Sequence, residues 1–169
     1  FYSKKVQTNL FNQIETGIIS SNEFLKALQK ETNNANITQL EQAWNAMLLD
    51  LPEERLQLIK KLKSNHTIFL LSNTNAIHIN AFKKQLGDKK WLAFCKLFDK
   101  MYLSHEVGLR KPDSEIFEYI LTEQKLIAEE VFFIDDSPQH IASAKKLGIH
   151  CHHLLEKEDV ITLFPDIIL

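Results

Sequence analysis

The stretch Val131-Phe-Phe-Ile-Asp-Asp-Ser-Pro138 decides the fold of this chain. Its four consecutive apolar residues are typical of a strand buried on both faces, as in a parallel sheet covered by helices. Ser137 followed by Pro138 is typical of a helix N-cap and first helical position, so the strand ends at Asp135 and Asp136. Adjacent strand side chains point to opposite faces, so one carboxylate can enter a crevice while the other braces it. Two charges about 4 Å apart at an effective dielectric of about 20 repel by roughly 4 kcal/mol, which predicts a nearby cation, and oxygen ligands favour Mg²⁺.

The composition argues against several classes of partner. The 169 residues carry 20 basic and 22 acidic side chains, for a net charge of -2. Without a basic surplus, neither nucleic acid nor an anionic membrane is expected as a partner. No apolar run approaches the roughly 20 residues needed to span a bilayer, and two widely separated cysteines fit a reducing compartment. We therefore expect a globular, cytoplasmic protein.

Residues 1–50 show only helical patterns. A first amphipathic helix through Val6 and Ile14 is expected to end at Gly17. Ser20 and Thr38 are each followed three positions later by Glu, which predicts capping boxes that open two more helices. The apolar stripe that contains Trp44 is expected to form the core of a small helical bundle rather than a cofactor site.

From residue 51 onward, strand patterns alternate with helical ones. The strands are expected to end near Ser72, Ser104, Asp135 and His153, with residues 105–113 as a loop, and a helix that begins near Ile77 is expected to end at Gly87. This alternation predicts a parallel α/β sheet with right-handed crossovers.

The carboxyl ends of parallel strands form the ligand crevice of such a sheet. Three segments of polar chemistry follow these ends: residues 72–74, residues 110–112 and the acid pair. A hydroxyl beside backbone N–H groups, a lysine and a metal-holding acid pair together suit a phosphoryl group. Arg110 is expected in a surface ion pair, and His78 and His105 in helix packing or capping rather than substrate contact.

The order of these motifs resembles the haloacid dehalogenase-like (HAD) hydrolase superfamily. The residues of these motifs are most similar to those of its sugar-phosphate phosphatase branch, the α-glucose-1-phosphate phosphatase-like proteins. The matching stretches are Leu71–Asn75 with His78, Tyr102–Ser104, Gly108–Pro112 and Phe133–Ser137.

The resemblance implies a HAD-type Rossmann-like parallel sheet core with helices on both faces, plus a small N-terminal helical cap. Residues 1–50 would be the cap and residues 51–169 the core. The implied activity is Mg²⁺-dependent hydrolysis of a small phosphorylated metabolite, with a sugar phosphate expected.

The resemblance also implies roles for individual residues. Ser72 and the backbone of Asn73 would bind the phosphoryl group, and Lys111 would neutralise its charge. Asp136 would ligate Mg²⁺ directly, while Asp135 would orient it or ligate through water.

The nucleophile of the family is an aspartate in an Asp-x-(Asp or Gly) motif, on a strand that precedes the cap. None of the eight aspartates of this chain stands in such a motif. Because the sequence begins at Phe1 rather than Met, we expect the nucleophile to lie upstream of Phe1 and the 169 residues alone to be inactive. The same strand would lie between the Ser72 and Asp135 strands, so its absence would leave a gap. The implied reaction is in-line attack on phosphorus, an aspartyl-phosphate intermediate and its hydrolysis.

Other functions fit the residues less well. A non-catalytic HAD-fold binding or regulatory protein is the main alternative, since the nucleophile motif is absent. A response-regulator receiver would carry its acid pair first in the chain, and dehalogenation within the superfamily needs no Mg²⁺. A transition-metal site at residues 150–153 is disfavoured because adjacent strand residues face opposite ways.

Overall fold

The computed structural model describes residues 9–165. The chain divides between Gly108 and Leu109 into two compact units. Val6, which the sequence assigns to the first helix, lies outside the described residues. The predicted boundary between cap and core at residue 50 stays a prediction. Within residues 9–165, no helix has the length and apolar character needed to cross a membrane.

The first unit is mainly helical and contains one parallel pair of strands. Its elements are helices α1 (Asn9–Glu15), α2 (Ser21–Glu31), α3 (Ile37–Asn45) and α4 (Glu53–Leu62), strand β1 (Phe69–Ser72), helix α5 (Ala76–Cys95), strand β2 (Lys100–Leu103) and the short helix α6 (Ser104–Val107). Gly87 interrupts α5 with a φ of 74°, at the position where the sequence predicts a helix end.

The helix starts follow from side chains that accept free backbone N–H groups. The capping box at Ser20 is confirmed, with both reciprocal bonds to Glu23 present. The one predicted at Thr38 is wrong: Asn36 caps α3, and its side-chain oxygen accepts the Thr38 N–H at 2.8 Å. Since Asn36 is itself a strong N-cap residue two positions earlier, the helix begins before Thr38 can cap it.

Helices α1 to α3 pack around an apolar core that also receives Ile77 from α5. Trp44 lies at its centre, with ring centroids 5.5 Å from Phe11 and 4.8 Å from Phe24. The prediction that Trp44 is a core residue is therefore confirmed.

Strands β1 and β2 pair in parallel, and their register ends where Ser72 lies opposite Leu103. The expectation that residues 105–113 form a loop is partly wrong, because helix α6 occupies the first of them. Gly108 ends this helix with a φ of 78°, a conformation that favours glycine.

The second unit contains the other parallel pair, β3 with β4. Its elements are helix α7 (Ser114–Gln124), strand β3 (Phe132–Asp135), helix α8 (Pro138–Lys146) and strand β4 (His150–His153), with 3₁₀ turns at Ala128–Glu130 and Val160–Leu163. The predicted parallel α/β class is confirmed by both pairs.

Strand β3 departs from the sequence prediction in its burial. Phe132 is 55% exposed, so the strand is not buried on both faces as its apolar run suggests. Among residues 9–165, β3 pairs only with β4 and β1 only with β2. Each strand therefore has one edge without a paired strand in the described part of the chain.

Candidate phosphate and metal site

The carboxylate of Asp135 stands at the end of β3 and accepts three hydrogen bonds. Its Oδ2 accepts from Lys111 Nζ at 2.6 Å. Its Oδ1 accepts from the Ser137 N–H at 2.8 Å and from His140 Nδ1 at 2.8 Å. The N–H of Ser137 is available because it lies at the N-terminus of α8, where backbone donors have no partner within the helix.

These donors keep Asp135 ionised in a buried place. Burial of the side chain, which is 7% exposed, acts to raise its pKa. The hydrogen bond from His140, the charge and hydrogen bond of Lys111 and the Ser137 N–H together outweigh burial and lower the pKa of Asp135 to about 2. Asp135 is therefore a fixed negative charge that orients its neighbours.

Lys111 reaches Asp135 from the segment that precedes α7. The lysine is buried at 6% exposure, and its Nζ also lies 5.6 Å from the centroid of the Phe133 ring. Burial of a lysine requires a paired acceptor, which Asp135 supplies. Arg110 is buried as well, at 8% exposure, so its expected position on the surface is wrong, whereas its ion pair stays a prediction.

Asp136 has a different environment from its neighbour. The residue is exposed, and its main-chain carbonyl accepts a hydrogen bond from His153 Nε2 at 3.1 Å. Among residues 9–165 its carboxylate makes no hydrogen bond or ion pair. The strand end thus carries one carboxylate held by three donors and one that is open to a ligand.

This donor set fits Mg²⁺. No group of three or more His, Cys, Asp or Glu side chains able to hold a metal ion occurs within the described residues. Mg²⁺ does not require such a group, since it is commonly held by one or two carboxylates, with water and substrate phosphate at its other positions. Asp136 offers one such carboxylate.

Ser72 and Asn73 belong to the first unit, whereas Lys111, Asp135 and Asp136 belong to the second. Ser72 is the last residue of β1 and is half-buried. The N-cap of the following helix α5 is Asn75, which accepts the His78 N–H at 3.1 Å. Ser72 therefore does not serve as an N-cap, the ordinary use of a serine after a strand.

The sequence profile of the haloacid dehalogenase-like hydrolases matches residues 12–153. The chain belongs to this family. The predicted resemblance to HAD hydrolases is confirmed, and the sugar-phosphate phosphatase branch fits the relatives described next.

One phosphatase and two crystal structures of a HAD family enzyme, all similar to this chain, support this membership. D-ribitol-5-phosphate phosphatase of Bacteroides thetaiotaomicron is 30% identical over 151 residues, which cover 84% of this chain and 69% of that protein. A HAD family enzyme from Bacteroides thetaiotaomicron, crystallised as its magnesium complex, is 34% identical with a TM-score of 0.85 over 93% of this chain and 80% of that one. Its wild-type complex with magnesium and inorganic phosphate is 32% identical with a TM-score of 0.77 over the same shares. The HAD-type fold is thereby confirmed.

The sequence analysis did not single out His140, which contacts Asp135 in this candidate site. The only signal is its place in the first turn of the helix that follows the acid pair. A histidine in a first helical turn is common, and only the structure shows that its Nδ1 donates to Asp135.

Three other histidines, His78, His152 and His153, have structural partners. His78 stacks on Trp44 with ring centroids 5.2 Å apart, and its Nε2 donates to the Trp44 carbonyl at 3.1 Å, as packing predicts. In β4, His152 contacts Glu158 at 3.0 Å, whereas His153 bonds the Asp136 carbonyl. Neighbouring imidazoles of this strand thus have separate partners.

Proposed function

We propose that the protein is a cytoplasmic, Mg²⁺-dependent phosphatase of a small phosphorylated metabolite, with a sugar or sugar-alcohol phosphate as substrate. The observation that carries this proposal is that the two acids of the pair have different surroundings. Asp135 is fixed by Lys111, His140 and the Ser137 N–H, while Asp136 stays open. Membership of the HAD hydrolases and the similarity to D-ribitol-5-phosphate phosphatase support the reaction and the substrate class.

Each site residue of this chain has a separate role in the proposed reaction. Asp136 holds Mg²⁺, and Asp135 holds Lys111 in position. When bound, the ion supplies positive charge beside the phosphoryl oxygens, which lowers the repulsion between the substrate and the carboxylates. Lys111 adds a second positive charge, and Ser72 with the Asn73 N–H donates hydrogen bonds to the phosphoryl oxygens.

The attacking carboxylate comes from a segment outside the 169 residues. The support for this step is that none of the eight aspartates here stands in an Asp-x-(Asp or Gly) motif. Attack by that aspartate on phosphorus breaks the bond to the leaving-group oxygen and forms an acyl phosphate, which water then hydrolyses to inorganic phosphate.

The test is hydrolysis of p-nitrophenyl phosphate and of a panel of sugar and sugar-alcohol phosphates by the protein with its upstream sequence. We expect turnover that needs Mg²⁺ and that stops with EDTA or with Asp136→Asn. Asp88→Asn is the matched control, because the Asp88 side chain is 90% exposed in the first unit, and we expect it to leave turnover unchanged. Turnover without a divalent metal ion would rule the proposal out.

A second candidate is a HAD-fold protein that binds phosphorylated ligands without hydrolysing them. The missing Asp-x-(Asp or Gly) motif favours it. An upstream coding sequence without a strand followed by that motif, together with Mg²⁺-dependent phosphate binding but no turnover, would decide for this candidate.

A further inference from the structure

The hydroxyl of Ser104 makes a two-way contact with the residue that follows the predicted phosphate-binding segment. Ser104 Oγ accepts the Thr74 N–H at 2.9 Å and donates to the Thr74 carbonyl at 3.0 Å. Ser104 is fully buried, with an exposure of 0%, and Thr74 is 8% exposed. Both backbone groups of Thr74 therefore depend on one side chain.

The topology explains why a side chain is needed there. The ladder between β1 and β2 ends with Ser72 opposite Leu103, because the chain turns into α6 at Ser104. The backbone of β2 is then no longer alongside Thr74. The hydroxyl of Ser104 takes its place as both donor and acceptor, so that buried backbone groups keep their partners.

The next residue is fixed as well. Asn75 is 0% exposed, and its side-chain oxygen accepts the His78 N–H at the start of α5. Residues 72 to 75 are thus held at one end by the ladder and at the other by two buried contacts. The Asn73 peptide lies between these fixed points, and since each peptide unit is planar, only the adjoining φ and ψ angles can change the direction of its N–H.

We propose that Ser104 is a positioning residue that sets the orientation of the Ser72 hydroxyl and the Asn73 N–H toward a phosphoryl group. This inference rests on the proposed phosphatase function. Ser104 touches no substrate atom in this role, and it acts only through Thr74. It also accounts for the Tyr102–Ser104 stretch, to which the reaction otherwise assigns no task.

The test compares Ser104→Ala with Leu58→Ala in the protein that carries its upstream sequence. Leu58 is 3% exposed in α4, so its truncation destabilises the same unit without removing a bond to Thr74. The measurements are kcat and KM for p-nitrophenyl phosphate, the inhibition constant of inorganic phosphate, and melting temperature. If Ser104→Ala does not fold, Ser104→Cys gives the same comparison, because the thiol replaces one atom of the side chain and forms only weak hydrogen bonds.

We expect kcat/KM to fall by at least about tenfold in Ser104→Ala, since small displacements of positioned groups carry large rate penalties. Inhibition by phosphate should weaken by a similar factor, whereas Leu58→Ala should stay within about twofold of the parent at a temperature where both are folded. Equal kinetics in the two variants, with an active parent, would overturn this inference alone. A parent that neither binds phosphate nor turns over the ester would overturn the proposed function and this inference together.

Discussion

The buried ion pair between Lys111 and Asp135 allows a quantitative test of how the site is built. The change is Lys111→Met, which keeps the apolar length of the side chain but removes its charge. The two side chains are 8% and 7% exposed, and Nζ lies 2.6 Å from Oδ2. Without Lys111, a buried carboxylate loses its only contact with a lysine among the described residues.

The size of the effect follows from what remains around Asp135. Removing one partner of a buried ion pair typically costs about 3–5 kcal/mol of unfolding free energy. His140 and the Ser137 N–H still donate to the carboxylate, so we expect a loss of about 3 kcal/mol, near the low end of this range. The lost contact between Lys111 and the Phe133 ring lowers the unfolding free energy further.

The assay is urea unfolding, followed by circular dichroism in buffer with EDTA, for a double-mutant cycle. Its members are Lys111→Met, Asp135→Asn and the double variant, and we expect a coupling free energy of about 2 kcal/mol or more. Lys157→Met is the control, because Lys157 is an exposed lysine of the same unit and its change should stay within about 0.5 kcal/mol. If Lys111→Met unfolds like this control, or if the double variant shows additive losses, the ion pair does not organise the strand end.

Two further perturbations test the first unit. Burial lowers the pKa of His78 despite its bond to the Trp44 carbonyl, so protonation of this ring opposes folding. The contribution of neutral His78 to the unfolding free energy is therefore fully present above about pH 6.5 and is lost as pH falls below it. We expect His78→Gln to shrink the difference in unfolding free energy between pH 8 and pH 5.5, and an unchanged difference would contradict the burial argument. At Gly17, where φ is 69°, an added Cβ would meet the His105 carbonyl oxygen, so Gly17→Ala should lower the melting temperature by several degrees; a melting temperature equal to that of the parent would show that the two segments separate freely.

Much of the fold could be predicted because its signals are local. The apolar run of β3, the capping box at Ser20 and the helix break at Gly87 each depend on residues within a few positions of one another. The local prediction failed at Thr38, where a competing cap stood two residues earlier. It also failed at α6, where four residues form a helix too short for an apolar period to identify.

The candidate site shows the same contrast between features that local sequence predicts and features that depend on distant residues. The sequence singled out Lys111 and the acid pair by the order of their motifs along the chain. This order can be read without knowing any tertiary contact. The burial of Arg110, the exposure of Phe132 and the part played by His140 depend instead on neighbours that are distant in sequence or turned by a helix.

The sequence by itself determined the alternation of strands and helices, the resemblance to HAD hydrolases and the residue types available for binding phosphate and Mg²⁺. Only the tertiary structure identified the donors that hold the Asp135 carboxylate and showed that the Asp136 side chain is exposed, because these donors come from other segments of the chain. It also decided that the Ser104 hydroxyl serves Thr74, because that contact joins residues 30 positions apart where a strand pair ends.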